Sequence, residues 1–324
     1  MTLDALESAW RPLAERGGNV FGTWEWADTW WRHFGAGGEL RARVVDERVV
    51  LPLYVGRTGP FRLLRYIGHA HADELGPVAA PEDRGAAAEA MSQTLGEGGY
   101  HLFLGEDMPP GWGPDLGSKV VERTSYPVLE LTESSWDELL ANRSSNFRQQ
   151  MRKYERRLDR AHSVGFRLAD DPNRLPADLD TLFALHRARW PGSKWFAAAE
   201  AFHRDFAAVA LERGWLRLWI LELDGAPAAA WYGFRFAGVD WFYQGGRDPS
   251  LSKERVGIVL IIHTVREALR DGMREYRFLR GGEAYKSRFA SSDPGLETLA
   301  RPNGPFGRAA LALRTLHRRG LRDG

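Results

Sequence analysis

One stretch in the last third of the chain combines an aromatic strand, a glycine pair and an apolar helix, and this combination could bind an anion. The aromatic run Trp241–Tyr243 ends at the pair Gly245-Gly246 and predicts a strand. Apolar residues between Val256 and Val265 recur at helical spacing, and residues 276–279 predict a second strand. Because the first N–H groups of a helix lack partners in their own helix, this βαβ unit would point free donors beyond its first strand.

A block that reads Leu-Arg-Gly-Gly-Glu-Ala-Tyr-Lys follows this unit at residues 279–286. With the order of the elements and the long apolar helix, it resembles the GNAT superfamily of N-acetyltransferases. The resemblance is to the CelD-like (BioF2-like) branch, which is related to the FemAB peptidyltransferases. It extends over about residues 20–300 and implies a mixed α/β fold of tandem GNAT-like domains. The usual pyrophosphate signature, a Gln or Arg three residues before Gly-x-Gly or Gly-x-Ala, is absent, since Glu254 precedes Gly257 at that spacing and Val259 follows it.

The resemblance implies acyl transfer by direct attack of an amine on a thioester, a reaction that requires no covalent nucleophile. Such an enzyme holds a pantetheine chain beside a strand and needs hydrogen-bond donors for the pyrophosphate and the developing oxyanion. We therefore expect acyl-CoA, for example acetyl-CoA, to contact the residues that end the strand and begin the helix. These are Gln244, Lys253, Arg255, Val256, Gly257 and Ile258.

The closing block supplies three candidate catalytic side chains. Glu283 could orient or deprotonate the amine, and Tyr285 could protonate the leaving group. Lys286 matches by position a lysine that FemAB-type relatives place near the reacting acyl group, where it could stabilise negative charge. A structural ion pair or a helix cap is the alternative for each of them. Arg277 stands where relatives often carry an acidic residue, so an inherited active-site acid is not assumed.

The acceptor site is expected beside two predicted helices, 175–190 and 196–213, because the helices after the first strand wall the acceptor site in GNAT-like folds. Aromatic and polar residues of this region and of the strand end are the predicted contacts of the amine substrate. They are His186, Trp190, Lys194, Trp195, Tyr243 and Asp248, with Arg189 beside them.

The first 131 residues predict an α/β layer of their own. Thr23 caps a helix at 24–34, and strand patterns then lead to a helix at 82–95. No glycine loop precedes that last helix, so we expect a degenerate GNAT-like domain at 1–131 and a catalytic GNAT-like domain at 132–324.

Residues 142–162 predict an amphipathic helix with an arginine stripe opposite its apolar face. The stripe consists of Arg148, Arg152, Arg156 and Arg160. It is either a solvated basic face or a clamp for a phosphate-rich substrate. FemAB relatives take their acyl group from aminoacyl-tRNA, whose row of phosphates would engage the whole stripe. The net charge near +1 and the lack of an inserted coiled-coil arm favour acyl-CoA over tRNA.

Composition excludes several classes of site. The chain has 44 basic and 43 acidic residues, so its total charge gives no general attraction to nucleic acid or to a membrane. It has no cysteine, which excludes a thiol nucleophile and a Cys-type zinc site. His69 and His71 lie beside two acidic residues but lack the spacing of paired ligands, so we expect no metal. The N-terminus carries no signal-peptide pattern and the longest apolar run is short, which predicts a cytoplasmic protein without a membrane partner.

Together these features predict an N-acyltransferase that moves an acyl group from acyl-CoA to a primary amine of a small molecule or peptide. One alternative is a FemAB-like, aminoacyl-tRNA-dependent peptidyltransferase. A second alternative, prompted by the missing pyrophosphate signature, is a non-catalytic scaffold with the GNAT fold. The identity of the acceptor and the length of the acyl chain stay open.

Overall fold

The computed structural model describes residues 2–192 and 195–320, and it divides the chain into two compact units. The first unit contains the chain up to Tyr126 and the segment from Pro294 onward, and the second runs from Pro127 to Asp293. The predicted mixed α/β class is confirmed. The division differs from the predicted domains, because the boundary lies a few residues earlier and the C-terminal segment joins the first unit.

Two helices precede the strands of the first unit. Its elements before residue 127 are α1 (Glu7–Gly17), α2 (Trp24–Phe34), β1 (Glu39–Leu40), β2 (Arg43–Val45), β3 (Val49–Leu51), β4 (Leu53–Thr58), β5 (Phe61–Tyr66), β6 (Val78–Ala79), α3 (Arg84–Glu97), β7 (Leu102–Met108), α4 (Trp112–Asp115) and β8 (Lys119–Thr124). Thr23 caps α2 as predicted, because its hydroxyl accepts a hydrogen bond from the N–H of Trp26. The indoles of Trp26 and Trp30 are buried, so α2 packs by its aromatic face.

The second unit contains a six-stranded sheet. Its elements are β9 (Val128–Glu130), α5 (Trp136–Ala141), α6 (Ser145–Ala161), β10 (Val164–Leu168), α7 (Leu175–Arg189), α8 (Trp195–Ala198), α9 (Glu200–Glu212), β11 (Leu216–Leu223), β12 (Ala226–Phe236), β13 (Val239–Arg247), α10 (Val256–Arg270), β14 (Glu275–Arg277) and α11 (Ala284–Phe289). The strand order is β10-β11-β12-β13-β14-β9, and only the β13–β14 pair is parallel. The hairpin predicted at Asp224-Gly225 is confirmed, since both residues have the positive φ of a type I′ turn, 52° and 83°.

A strand near the C-terminus completes the first unit. β15 (Leu296–Pro302) lies between β7 and β8, is antiparallel to both and leads into α12 (Gly304–Gly320). The strand order of this sheet is β1-β4-β5-β7-β15-β8, and β2, β3 and β6 form a small separate sheet. The backbone hydrogen bonds of β15 therefore assign the C-terminal segment to the first unit and explain why it does not belong to a domain at 132–324.

The core of the second unit includes α6, α10 and the sheet. Ile262 and Val265 of α10 are fully buried, as are Met151 and Leu158 of α6. The apolar stripe predicted for α6 thus faces the core, while most of its arginines are exposed. Within residues 2–192 and 195–320, every helix is too short or too polar to span a bilayer.

A buried hydroxyl network ties the sheet of the second unit to α10. The Tyr276 hydroxyl accepts a hydrogen bond from Trp231 Nε1 at 2.6 Å and lies 2.9 Å from the Thr264 hydroxyl. The hydroxyl of Tyr232 is also buried but has no hydrogen-bond partner among the described residues. The two tyrosines therefore offer a matched pair for testing the network.

We expect Tyr276→Phe to lower the free energy of unfolding by about 1–3 kcal/mol, because the indole N–H of Trp231 would lose its acceptor inside the core. Tyr232→Phe is the control and should leave the free energy of unfolding unchanged or slightly higher, since no hydrogen bond is lost. Urea denaturation of the purified variants measures both values. Equal effects of the two substitutions would contradict the role of the network.

Candidate active site

A cleft opens in the second unit where β13 extends beyond the end of β14. The two strands pair only over Val239–Trp241 and Glu275–Arg277, where β14 ends. β13 continues to Arg247 and stays paired with β12 on its other edge. Beyond Trp241, no strand in the described part of the chain pairs with the β14 side of β13. The carboxyl-terminal half of β13 therefore has one free edge.

The walls of this cleft are mostly apolar. Its volume is about 220 Å³. The rings of Trp231 from β12 and Phe242 from β13 stack with their centroids 5.2 Å apart and form the sheet side. The helix side comes from α10. The complete apolar lining is Ala230, Trp231, Phe242, Ile258, Leu260 and Ile261.

Three arginines line the cleft and make it strongly cationic. Arg189 at the end of α7, Arg247 at the end of β13 and Arg255 just before α10 all line it. Burial lowers the pKa of Arg189, and the nearby charge of Arg247 acts in the same direction. The guanidinium of Arg189 is hydrogen-bonded to the Tyr285 hydroxyl. An anion among these groups would offset their mutual repulsion.

The N-terminus of α10 lies at the same place. Arg255 has a left-handed backbone with a φ of 58°, which is uncommon for a residue with a side chain and sets the direction in which the helix begins. The N–H groups of Ile258 and Val259 donate to the carbonyl oxygen of Arg255. Those of Val256 and Gly257 precede the first hydrogen bond of the helix, and Gly257 lines the cleft.

The closing block holds Glu283 and Lys286 against each other. Lys286 is only 4% exposed, and its Nζ donates to the carbonyl oxygen of Arg280 at 2.7 Å and to Oε2 of Glu283 at 2.9 Å. Gly281 has a φ of 122°, and an added Cβ would lie 2.4 Å from the Glu283 carboxylate. The glycine and the ion pair therefore shape the loop that leads into α11. The described residues that line the cleft do not include Glu283 or Lys286.

Tyr285, from the first turn of α11, does line the cleft. Burial raises the pKa of its hydroxyl, and the charge of Glu283 raises it further, while Arg189 opposes these effects. The phenol is therefore protonated at neutral pH. Among the described residues of the closing block, Tyr285 alone is part of the cleft wall.

A β-bulge in β13 determines which side chains face the cleft. Tyr232 and Gly233 of β12 pair with Gln244 and Phe242, so Tyr243 is the extra residue. Phe242 faces the cleft, whereas Gln244 lies on the other face, where its side chain is hydrogen-bonded to His186. Without the bulge, the alternation of a strand would put Phe242 and Gln244 on one face. The bulge therefore places Gln244 outside the cleft. The regular two-residue alternation of a strand would not predict this position.

Two predicted acceptor contacts are packed inside the protein. His186 is 3% exposed, and burial lowers its pKa to about 4, so its imidazole is neutral at physiological pH. Tyr243 is 4% exposed and packs near Phe196, with ring centroids 6.5 Å apart. Asp248 caps the following turn by accepting a hydrogen bond from the N–H of Ser250 at 2.8 Å.

The two predicted tryptophans are more accessible. Trp190 is 43% exposed, and the guanidinium of Arg189 lies 4.8 Å from its ring centroid. Trp195 is half-buried, 6.3 Å from the ring of Tyr243. Lys194 lies outside the described residues. An acceptor could therefore reach Trp190 without any movement of the core.

The structure thus brings together part of the predicted donor site. Arg255, Gly257 and Ile258 line one cleft, together with the catalytic candidate Tyr285 and with Arg189 from the predicted acceptor region. Lys253 is exposed and absent from the wall, and the side chain of Val256 points into the core. Sequence reasoning missed Trp231, Phe242 and Arg247. The position of Arg247 directly after the glycine pair was the one available signal for it.

His69 and His71 of the first unit take part in packing and hydrogen bonding. The Tyr54 hydroxyl lies 2.6 Å from His69 Nδ1, and Trp30 Nε1 donates to His71 Nδ1 at 3.3 Å. Burial lowers the pKa of both histidines, that of His69 to about 3. Within the described ranges, no group of three or more His, Asp or Glu side chains could hold a metal ion.

The comparison with protein families identifies the second unit. The sequence model of a family described as "Acetyltransferase (GNAT) domain" matches residues 145–287, a segment that contains every residue of the cleft wall. The resemblance to the GNAT superfamily is confirmed. No curated protein sequence matches the chain.

Solved structures share the fold along nearly the whole chain. FemX superposes with a TM-score of 0.65 at 11% identity and covers 94% of this chain and 96% of its own. The C-terminal domain assigned to a lysylphosphatidylglycerol synthetase of Agrobacterium fabrum gives 0.64 at 13%, with 97% and 95% covered. L-PGS of Bacillus licheniformis gives 0.58 at 12%, with 96% of each chain covered. These similarities concern the fold alone, and with the family match they confirm the predicted GNAT-like mixed α/β fold.

Gly246 sets the distance between β13 and α7. A Cβ added there would lie 2.4 Å from the backbone nitrogen of His186 and 2.5 Å from the carbonyl carbon of Leu185. We expect Gly246→Ala to lower the free energy of unfolding by about 1–3 kcal/mol, because backbone atoms of a packed helix cannot move aside as a flexible side chain can. Urea denaturation measures the change.

Gly257→Ala is the matched control, since the atom nearest to its added Cβ is Arg247 Cδ, at an ordinary 3.5 Å. It should leave the free energy of unfolding within about 1 kcal/mol of the parent value or raise it, because alanine is the better helix former. If Gly246→Ala were as stable as Gly257→Ala, the close approach of β13 and α7 would not be a constraint.

Proposed function

We propose that the GNAT-type domain between residues 145 and 287 transfers an acyl group from acyl-CoA to a primary amine of a small molecule or peptide. The observation that carries the proposal is a cleft with an apolar wall and a cationic end, where Arg247 and Arg255 lie beside the start of α10. An acyl-CoA has the same division, since a long pantetheine arm ends in the thioester at one side and in a pyrophosphate at the other. The apolar and the anionic parts of acyl-CoA therefore both have matching groups in the cleft wall.

The cationic end suits the pyrophosphate. Arg247 and Arg255 can form charge-assisted hydrogen bonds to phosphate oxygens. The N–H groups of Val256 and Gly257 point out of the helix N-terminus and favour the same charge. These groups offer an explanation for how the chain could hold a pyrophosphate without the usual signature of its superfamily. Lys253 is exposed nearby and could contact the outer phosphate.

The apolar slot suits the pantetheine arm. Its two amide groups need hydrogen-bond partners, and the free edge of β13 beyond Trp241 has backbone N–H and C=O groups that can provide them. Trp231, Phe242 and Ile258 provide apolar contact for the methyl and methylene groups of the arm. The thioester would then lie at the inner end of the slot.

Tyr285 is the proposed general acid. The acceptor amine attacks the thioester carbonyl carbon, a C–N bond forms, the C–S bond breaks, and the departing sulfur takes a proton while the amine loses one. Tyr285 can supply the first proton because it lines the cleft and its raised pKa keeps it protonated. Glu283, half-exposed beside it, is the proposed acceptor of the amine proton. Lys286 acts on this proposal as a positioning residue, since it holds the Glu283 carboxylate.

The acceptor is proposed to approach past the end of α7. Trp190 offers an exposed aromatic face, and Trp195 lies half-buried nearby in the chain. His186, Tyr243 and Asp248 would support this wall from behind through packing and turn formation, without touching the amine.

The second candidate is transfer from aminoacyl-tRNA, and the exposed cationic face of α6 is the observation in its favour. The exposed cations are Arg152, Lys153, Arg156, Arg157 and Arg160. Arg148 does not add to them, because it donates to the carbonyl oxygens of Ala141 and Arg143. Acyl-CoA remains the preferred donor, since the cationic end of the cleft already supplies the few contacts that one pyrophosphate needs.

Titration calorimetry with acetyl-CoA tests the donor. Arg247→Gln should raise the Kd at least about tenfold, because a hydrogen bond to a charged group typically contributes about 1.5–3 kcal/mol. Gly257→Leu should abolish binding, since its side chain would fill the cleft while the helix still forms. Arg156→Gln makes the same change of charge on the exposed face of α6 and should leave the Kd unchanged.

Equal affinity of the parent and Arg247→Gln proteins would remove the cleft from the donor site. Binding of tRNA that falls log-linearly with salt, at roughly −0.7 per phosphate contact, would support the second candidate. That binding would have to disappear when Arg152, Arg156 and Arg160 become Gln. A folded protein that binds neither donor would be the non-catalytic scaffold.

Tyr285→Phe tests the chemistry. Loss of the proton donor should lower kcat by about a hundredfold or more, with little change in the melting temperature. Release of free thiol from acetyl-CoA, measured with the best amine of a panel, gives the rate. Lys286→Met is the comparison, and it should lower the melting temperature because the Arg280 carbonyl and the Glu283 carboxylate would lose their common donor. A Tyr285→Phe enzyme with parental kcat would exclude Tyr285 as the acid.

A further inference from the structure

Helix α12 of the first unit has an apolar stripe on its exposed face. Phe306, Leu313 and Leu316 are 64%, 55% and 63% exposed, and Ala309 between them is exposed as well. The four residues are spaced three, four and three apart, so they lie along one side of the helix. Elsewhere in the described part of the chain, exposed large apolar side chains are confined to Val120, Val121 and Trp190. The stripe is therefore the main exposed apolar surface of the first unit.

The opposite side of α12 is docked, so the stripe cannot turn inward. Ala310 is 6% exposed and packs in a cluster with Leu63 and Leu102, and Leu311 packs against the same cluster. At Gly307 a side chain would collide with the carbonyl oxygen of His101. The helix is held tightly by one face, and Leu313 and Leu316 are exposed to solvent on the other.

The charge of this segment is strongly one-sided. Residues 304–324 contain five arginines and one acidic residue, Asp323. The arginines are Arg308, Arg314, Arg318, Arg319 and Arg322. Arg308 is exposed, while Arg314 is half-buried, 3.7 Å from Glu122. A second copy of this helix would bring the same positive charge against it, so self-association through the stripe is opposed by repulsion. A negatively charged apolar surface is complementary in both respects.

We propose that α12 docks the protein on the surface of a bilayer that contains anionic phospholipids. The stripe of Phe306, Leu313 and Leu316 enters the boundary between headgroups and acyl chains, and the exposed Arg308 contacts the headgroup phosphates. Arg318, Arg319 and Arg322 add positive charge to the same segment of the sequence. A basic helix with leucines and an aromatic residue along one side is suited to lie in this plane. The expectation of no membrane partner rested on the total charge near +1, the short apolar runs and the lack of a signal-peptide pattern, and none of these detects a local concentration of arginines beside an apolar stripe.

Vesicle flotation of the 324-residue protein tests the proposal. The parent should float with phosphatidylcholine vesicles that contain phosphatidylglycerol and stay behind with vesicles of phosphatidylcholine alone. Leu313→Gln combined with Leu316→Gln keeps the charge and helix propensity and should weaken binding at least about tenfold, since two leucines would no longer be buried. Ala312→Gln combined with Thr315→Gln puts two glutamines on the same helix beside the stripe and should retain binding. Circular dichroism confirms that both variants are folded.

Two outcomes would overturn the proposal. One is equal flotation of the parent and the Leu313, Leu316 double variant. The other is a parent that ignores both vesicles and sediments as a dimer, with the double variant monomeric, which would assign the stripe to a second copy. Acetyl-CoA binding is measured on the same samples, and because the cleft lies in the other unit, its failure would leave the vesicle result unaffected.

Discussion

The candidate site depends on one limited interaction, the parallel pairing of β13 and β14 over three residues. After Arg277 the chain turns away, aided by a left-handed Leu279 with a φ of 59°. Trp241 is the last residue of β13 that pairs with β14, and the guanidinium of Arg277 lies 4.5 Å from its ring centroid. Past this point β13 has a free edge, α10 starts beside it, and the cleft occupies the gap. A longer β14 would close the cleft by completing the sheet.

Charge in the cleft is balanced only in part by the protein. Burial removes water from the guanidinium of Arg189, and its hydrogen-bond partner, the Tyr285 hydroxyl, carries no charge. Arg247 and Arg255 stand close by without a carboxylate in the wall. An occupied cleft is thus electrostatically better satisfied than an empty one, and ligand binding should be coupled to the stability of the second unit. A site whose positive charges are only partly balanced by the protein gains affinity for an anion, and the free protein is less stable as a result.

Local signals made much of the second unit predictable. A few neighbouring residues are enough to predict the Asp224-Gly225 turn, the helix α10 and the apolar stripe of α6. The cleft wall needed more, because Trp231 and Phe242 meet only through the register of β12 and β13, and the bulge at Tyr243 reverses the side of Gln244. Lys286 could be recognised in its block, but its burial against Glu283 depends on the path of the loop. The pairing of β15 with β7 joins residues nearly two hundred positions apart, and no short sequence pattern predicts such a pairing.

The place of β15 has a consequence for synthesis on the ribosome. The second unit is one continuous segment, so all its contacts are available once Asp293 has left the exit tunnel. The first unit begins the chain, yet a central strand of its main sheet is made last, and β7 and β8 must wait for Leu296–Pro302 before that sheet is continuous. We therefore expect the second unit to complete its fold on the ribosome before the first unit does, although most of the first unit is synthesised earlier.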